Sequence, residues 1–157
     1  MTEYTEDVPR GGALRRGFVT FRERLAGFPL SILLLGLRVG VGSVFFKAGL
    51  LKYESWDMTL MLFAQEYKVP LLPPELAARM AMVQELTVPI LLFLGLATRV
   101  ATVPMLAMIA VIQTFVYPNA WNDHLLWASA LVLLLTRGPG AISVDHLIER
   151  AFAKSRV

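Results

Sequence analysis

VATVPMLAMIAVIQTFVYPNAWN, residues 100–122, is a run of 23 residues without a charge. An α-helix needs about 20 mainly apolar residues to cross the hydrocarbon core of a bilayer, so this stretch predicts a transmembrane helix and decides the class of the chain. Of its 157 residues, 56% are hydrophobic and 17% charged, and the mean hydropathy is +0.59. That is too apolar for an ordinary soluble domain of this length. Cysteine is absent, which excludes disulfides, thiolate metal sites and Cys-x-x-Cys redox pairs within the polypeptide.

Three further runs flank the first. Residues 29–52 contain LSILLLGLRVGVGSVFFKAGLLK, apolar apart from Arg38, Lys47 and Lys52. Residues 76–97 carry Arg79 at their start and Gln84 and Glu85 inside, and residues 122–136 are short and end before Gly138-Pro139-Gly140. The predicted architecture is an all-α integral membrane four-helix bundle with short amphipathic interfacial helices, its spans at about 29–52, 76–97, 100–118 and 122–136. A basic amphipathic segment, 1–28, precedes the membrane domain, 29–148, and a tail, 149–157, follows it. Arg38 breaks the first apolar run and no small-x-small site follows it, so it is expected to be a retained span and not a cleaved signal.

Lysine and arginine placement predicts the orientation. Arg10, Arg15, Arg16, Arg22, Arg24, Arg99, Arg137, Arg150, Lys154 and Arg156 put ten basic residues on one side, against Lys52, Lys68 and Arg79 on the other. The richer side faces the cytoplasm, so both termini are expected there. Trp56, Trp121 and Trp127 then fall near the outer face with Tyr53, Tyr67 and Tyr117, where interfacial aromatic belts lie. Net charge of +3 concentrated beside apolar runs points to lipid headgroups as the anionic partner and away from nucleic acid.

Three shorter segments are amphipathic. Leu14, Phe18, Phe21 and Leu25 recur at helical spacing among arginines, as in a basic helix on a membrane surface. Trp56, Leu60, Phe63 and Tyr67 form a second stripe, followed by the proline-braked VPLLPP of 69–74. Val144, Leu147, Ile148, Ala151 and Phe152 form a third, with Ser143 placed to cap its helix. Packing against lipid or the bundle explains all three.

Charges at membrane depth need compensation, since an unpaired one costs at least about 2.5–3.5 kcal/mol. Arg38, Gly42, Phe45, Gly49 and Lys52 share one helix face. Its glycines admit a close neighbour, and Glu85 is the expected counter-ion of Arg38. Counting about 1.5 Å per residue from the outer ends puts Glu85 about 14 Å deep and Arg38 about 21 Å, a gap a long arginine can close. Pro89 cannot donate to the carbonyl of residue 85, so the second span is expected to be kinked or hydrated beside its acid. Gln84 and Gln113 add amides, and Trp121, His124 and Trp127 line an outer mouth. Arg38, Lys52, Gln84, Glu85, Gln113, Trp121, His124 and Trp127 are therefore the candidate binding cluster. The catalytic set is unassigned, and an Arg38–Glu85 pair that merely locks two helices explains the charges equally well.

Two distant histidines, His124 and His146, cannot ligate one haem iron or complete a zinc site, so no metal is expected. His124, beside Asp123, most simply serves as a hydrogen-bonded cap. No phosphate-binding or nucleophile-elbow motif occurs.

The RVGVG of 38–42, FKAGLLKY of 46–53, VPLLPP of 69–74, QE of 84–85, GLATR of 95–99, YPNAWNDHLLW of 117–127 and RGPGAISVD of 137–145 together resemble the DoxX family of small bacterial four-helix membrane proteins. The similarity covers about residues 30–148. It implies a cytoplasmic-membrane protein near quinone-linked redox chemistry, with Arg38, Lys52, Glu85 and Arg99 as the matching polar positions. Two functions from different classes follow. The first is a non-catalytic membrane subunit or scaffold, more an accessory to an oxidoreductase than an enzyme itself. It would hold a redox partner protein and offer a quinone or small-molecule pocket, with no covalent cofactor. The second is a small transporter or permeation unit built on a midplane Glu/Arg cluster, with Gln113 in its relay and a homo-oligomer completing the path.

Overall fold

The computed structural model describes residues 11–154; Arg10 and Arg156 of the charge count, and the ends of the 1–28 segment and of the tail, lie outside the described residues. The chain divides at residues 30 and 31 into two compact units. The first contains α1 (Gly11–Ala26), on which Leu14, Phe18, Phe21 and Leu25 are all exposed. Its apolar stripe is thus present on a helix, as its spacing predicts.

The second unit is built from α2 (Leu30–Glu54), α3 (Trp56–Leu62), α4 (Pro74–Leu94), α5 (Thr98–Val111), α6 (Trp121–Arg137) and α7 (Val144–Lys154). Among the described residues there is no strand. Three stretches are long and apolar enough to cross a membrane: α2 with 25 residues, α4 with 21, and α5 with its extension, Thr98–Val116, with 19. α6 has 17 residues, about 26 Å at 1.5 Å each, which is short of the 30 Å hydrocarbon core. It packs along α5, which in turn packs along α4. Leu33, Val83, Val100, Val103 and Val132 point outward and are exposed, the apolar exterior that lipid-facing helices require.

The core is a seam of Val41, Phe45, Leu92, Ala101, Met105, Ile109 and Leu131. Small residues set how closely its helices meet. A Cβ at Gly49 would lie 2.9 Å from the Cβ of Glu85, and one at Gly42 would lie 2.7 Å from the Phe93 ring. α2 and α4 are therefore in contact at both glycines, as the small-residue face predicts. Pro89 is buried within α4, which remains one helix from Pro74 to Leu94.

Two π-helical turns were not anticipated. One, Phe63–Tyr67, prolongs α3, and the Lys68 N–H reaches back five residues to Phe63 O at 3.2 Å. The other, Ile112–Val116, prolongs α5, and the Tyr117 N–H bonds Ile112 O at 2.8 Å. The stripe of Trp56, Leu60 and Tyr67 closes on Phe63, Ala77 and Ala78, so this face packs on α4 within the bundle. At the other end of the chain, Ser143 Oγ accepts from the His146 N–H at 3.2 Å, and α7 has the cap its sequence predicts.

Candidate functional site: an apolar cavity with a buried ion pair

Arg38 and Glu85 do not meet, which corrects the expected pairing. Glu85, 4% exposed, is paired with Lys52. Lys52 Nζ donates to Glu85 Oε1 at 2.9 Å and sits 2.7 Å from Oε2, an ion contact that leaves Oε2 without a hydrogen-bond partner. The register explains the choice. With Gly49 pressed against Glu85, Lys52 lies three residues along α2, about 4.5 Å, whereas Arg38 lies eleven residues the other way, about 16 Å and beyond a side chain's reach. The midplane Glu/Arg cluster of the transporter hypothesis is therefore not formed. Lys47 is exposed.

Arg38 is instead fully buried at the far end of the bundle. Its Nη1 donates to Leu92 O at 3.3 Å, its Nη2 donates to Ile142 O, and the charge acting on it is that of Asp145. Asp145 in turn takes the Ala97 N–H at 2.7 Å and the Thr98 N–H at 3.0 Å on its two oxygens, and its own N–H donates to Gly95 O at 3.0 Å. Those amides open α5, so the carboxylate caps that helix from another segment of the chain. The segments 38–42, 95–99 and 137–145 thus converge on one node whose bonds are structural. Asp145→Ala is expected to cost about 1–2 kcal/mol, the upper part of the range for losing an N-terminal cap. Thermal unfolding of the detergent-solubilised chain checks this, and an unchanged transition would contradict it.

Lys52 and Glu85 stand in the wall of a cavity of ≈ 540 Å³, bordered also by Phe45, Phe63, Tyr67, Gln84, Met108, Tyr117, His124 and Trp127. Its walls come from α2, α3, α4, α5 and α6, and most of them are apolar. A few polar groups interrupt them, the pattern of a small-molecule site. Gln84 Nε2 donates to Pro104 O at 2.7 Å. Gln113 Nε2 donates to Pro118 O at 2.7 Å, and Gln113 Oε1 lies 2.6 Å from His124 Nδ1. Phe45 meets Trp127 edge-on at 5.7 Å, and Trp127 lies 5.5 Å from the His124 ring.

The two π turns meet at the edge of the cavity. Tyr117 donates to the Tyr67 hydroxyl at 3.1 Å, and their rings meet edge-on at 5.7 Å. Burial pushes the Tyr67 phenol above its ordinary range, so it stays protonated and keeps a hydrogen to donate.

Of the eight candidate residues, Lys52, Gln84, Glu85, His124 and Trp127 line this cavity. Gln113 reaches it through His124. Trp121 is 56% exposed and Arg38 lies in the node, so neither belongs to the wall. His124 is 4% exposed and its ring bonds across to α5, replacing the expected cap. Tyr67 and Tyr117 were expected only as interfacial aromatics. Their spacing carries no sign that two π turns bring them together.

No solved structure matches the chain. An uncharacterised protein from Haemophilus influenzae is 26% identical over 141 residues, covering 82% of this chain and 91% of that protein. The DoxX family model matches residues 33–118, more than half of the sequence and inclusive of Arg38, Lys52, Glu85 and Arg99: the chain is a membrane protein belonging to the DoxX family.

Proposed function

We propose that the protein is a four-span bundle in the bacterial inner membrane, both termini cytoplasmic, that acts as a non-catalytic subunit or scaffold of a quinone-linked redox complex. α6 is the fourth span, its first turn, Trp121–Asp123, lying at the outer interface. The cavity holds a quinone or a similar amphipathic small molecule, with its ring among Phe45, Phe63 and Trp127 and its polar end at Lys52 and Tyr67.

One observation carries this proposal: an apolar cavity of ≈ 540 Å³ with a buried ion pair in its wall. A volume within the roughly 300–1,000 Å³ of small-molecule sites supports a ligand. A buried ion pair is weak as a stabilising device, because desolvation offsets its attraction, so its retention beside a cavity favours a role toward an occupant. Any electron transfer would be the partner's, since a bound quinone accepts electrons only from a donor that reaches it.

Gentle extraction of the full chain, followed by native mass spectrometry and solvent extraction, tests the proposal. A retained quinone or a co-purified redox protein is expected, and Ala81→Phe, which fills the cavity, should lower retention of the small molecule at least tenfold. Recovery of a chain with neither would contradict it, and proton flux through liposomes that vanishes in Glu85→Gln would favour a permeation role instead.

A further inference from the structure

The pair of hydrogen bonds at Gln113 fixes more than a contact. Pro118 O is a carbonyl and can only accept, so the group of Gln113 that faces it at 2.7 Å is the NH₂. Gln113 Oε1, which can only accept, therefore faces His124 Nδ1 at 2.6 Å, and Nδ1 must carry the hydrogen. In the uncharged imidazole the other nitrogen, Nε2, is then a bare acceptor. His124 is 4% exposed and borders the cavity, and neither helix packed beside it supplies a donor to that nitrogen among the described residues.

Opposite, Lys52 Nζ spends its bonds on Glu85 but is 18% exposed, with a further N–H available. The Tyr67 hydroxyl accepts from Tyr117 and retains its own hydrogen. The cavity thus offers donors on the side of α2 and α3 and an acceptor on α6, with the aromatic faces of Phe45, Phe63 and Trp127 between. A quinone, which carries acceptors alone, satisfies the donors and leaves His124 Nε2 unpaired. A buried acceptor left so costs about as much as a lost hydrogen bond.

We infer that the cavity selects a phenol-class amphiphile, a hydroquinone or alkylphenol whose hydroxyl donates to His124 Nε2, over the oxidised quinone or an ether of the same shape. Gln113 is a positioning residue that holds the imidazole in the accepting tautomer. The inference rests on the ligand-binding cavity proposed above and names the class that fills it. No electron or proton transfer is part of it; the hydroxyl keeps its hydrogen.

Binding of decyl-hydroquinone, decyl-quinone and decyl-hydroquinone dimethyl ether to the full chain in nanodiscs tests it, under anaerobic conditions at pH 8, where an ordinary imidazole is uncharged. The hydroquinone is expected to bind about tenfold tighter than either the quinone or the ether, the discrimination of one hydrogen bond at about 1.4 kcal/mol per tenfold, and a quinone that binds as tightly as the hydroquinone would overturn the inference. His124→Phe should abolish the preference of hydroquinone over ether. Gln113→Leu, which frees the tautomer without touching the ligand, should reduce the preference several-fold and move the imidazole ¹⁵N shifts of His124 toward a tautomer mixture. Equal binding of hydroquinone and ether, or a preference that survives His124→Phe, would overturn the inference alone. Failure of all three probes to bind would overturn the cavity proposal and this inference with it.

Discussion

Lys52→Met is expected to lower the unfolding free energy of the chain by about 3–5 kcal/mol, because it removes one partner of a buried pair and leaves a carboxylate uncompensated. For a chain of this size that is a fall of roughly 10 °C in the unfolding midpoint. Glu85 is only 4% exposed and its Oε2 has no other hydrogen-bond partner, so water does not rescue it. Lys52→Met combined with Glu85→Met should recover most of the loss, since an apolar pair of similar volume avoids both desolvation costs. The double-mutant cycle then gives a coupling energy well above the error of additivity, about 0.3–0.5 kcal/mol. Additive effects would show that the two charges do not interact. The same double variant separates structure from function, because it should fold but lose the polar end of the cavity, with weaker retention of a bound amphiphile.

Arg38→Ala is expected to have a comparable effect for a different reason. The guanidinium is fully buried and divides its donors between Leu92 O and Ile142 O, carbonyls 50 residues apart in sequence. Truncation takes the donor from Ile142 O, leaves Leu92 O with the Gly95 N–H alone and empties a large fully buried site, a loss of about 3–5 kcal/mol. Arg38→Lys should recover only part of it, because a compact ammonium lacks the fork that reaches both segments. Gly95→Ala should fail in the same way. Its backbone is left-handed at φ 65° and a Cβ there would collide with Arg38 Nη1. Folded yield and protease sensitivity of the 138–143 segment are the readouts. An Arg38→Ala protein as stable as the parent would contradict the assignment, while ligand retention in Arg38→Lys should match the parent because the node lies apart from the cavity.

The helices were legible because their signals are local and redundant. Composition and charge-free length place α2, α4 and α5 within a few residues, and Gly95 and Gly138 mark ends that the backbone reaches with positive φ. Gly42 and Gly49 announce a close neighbour, and Phe93 and Glu85 fill that role. Partner choice was not legible. Arg38, Lys47 and Lys52 are all cations on one helix, and which of them meets Glu85 depends on a slide of α2 along α4 that hydropathy does not encode. Depth counted from span ends carries an error of a turn or more, enough to exchange Lys52 for Arg38. Once Gly49 rests on Glu85 the ambiguity disappears.

The cavity was only half legible for a related reason. Gln84, Glu85, His124 and Trp127 stand out because polar and indole groups are conspicuous near apolar runs. The mouth does not, because a π turn uses ordinary residues and differs from an α turn by one extra residue per bond. Tyr67 ends one such turn and Tyr117 closes the other, and their meeting is a property of the packed chain. The node of Arg38, Gly95 and Asp145 shows the converse. Three of the segments quoted for their resemblance to a family, 38–42, 95–99 and 137–145, prove to meet in one structural assembly, whereas 46–53, 84–85 and 117–127 border the cavity at the other end.

A lipidic-phase crystal structure of the full chain, prepared without added ligand, tests the central claim most directly. The account predicts Lys52 within salt-bridge distance of Glu85 and an elongated non-protein density running from Lys52 to Trp127. A structure in which Glu85 is paired with Arg38, or in which side chains collapse across the space between α2 and α6, would contradict it.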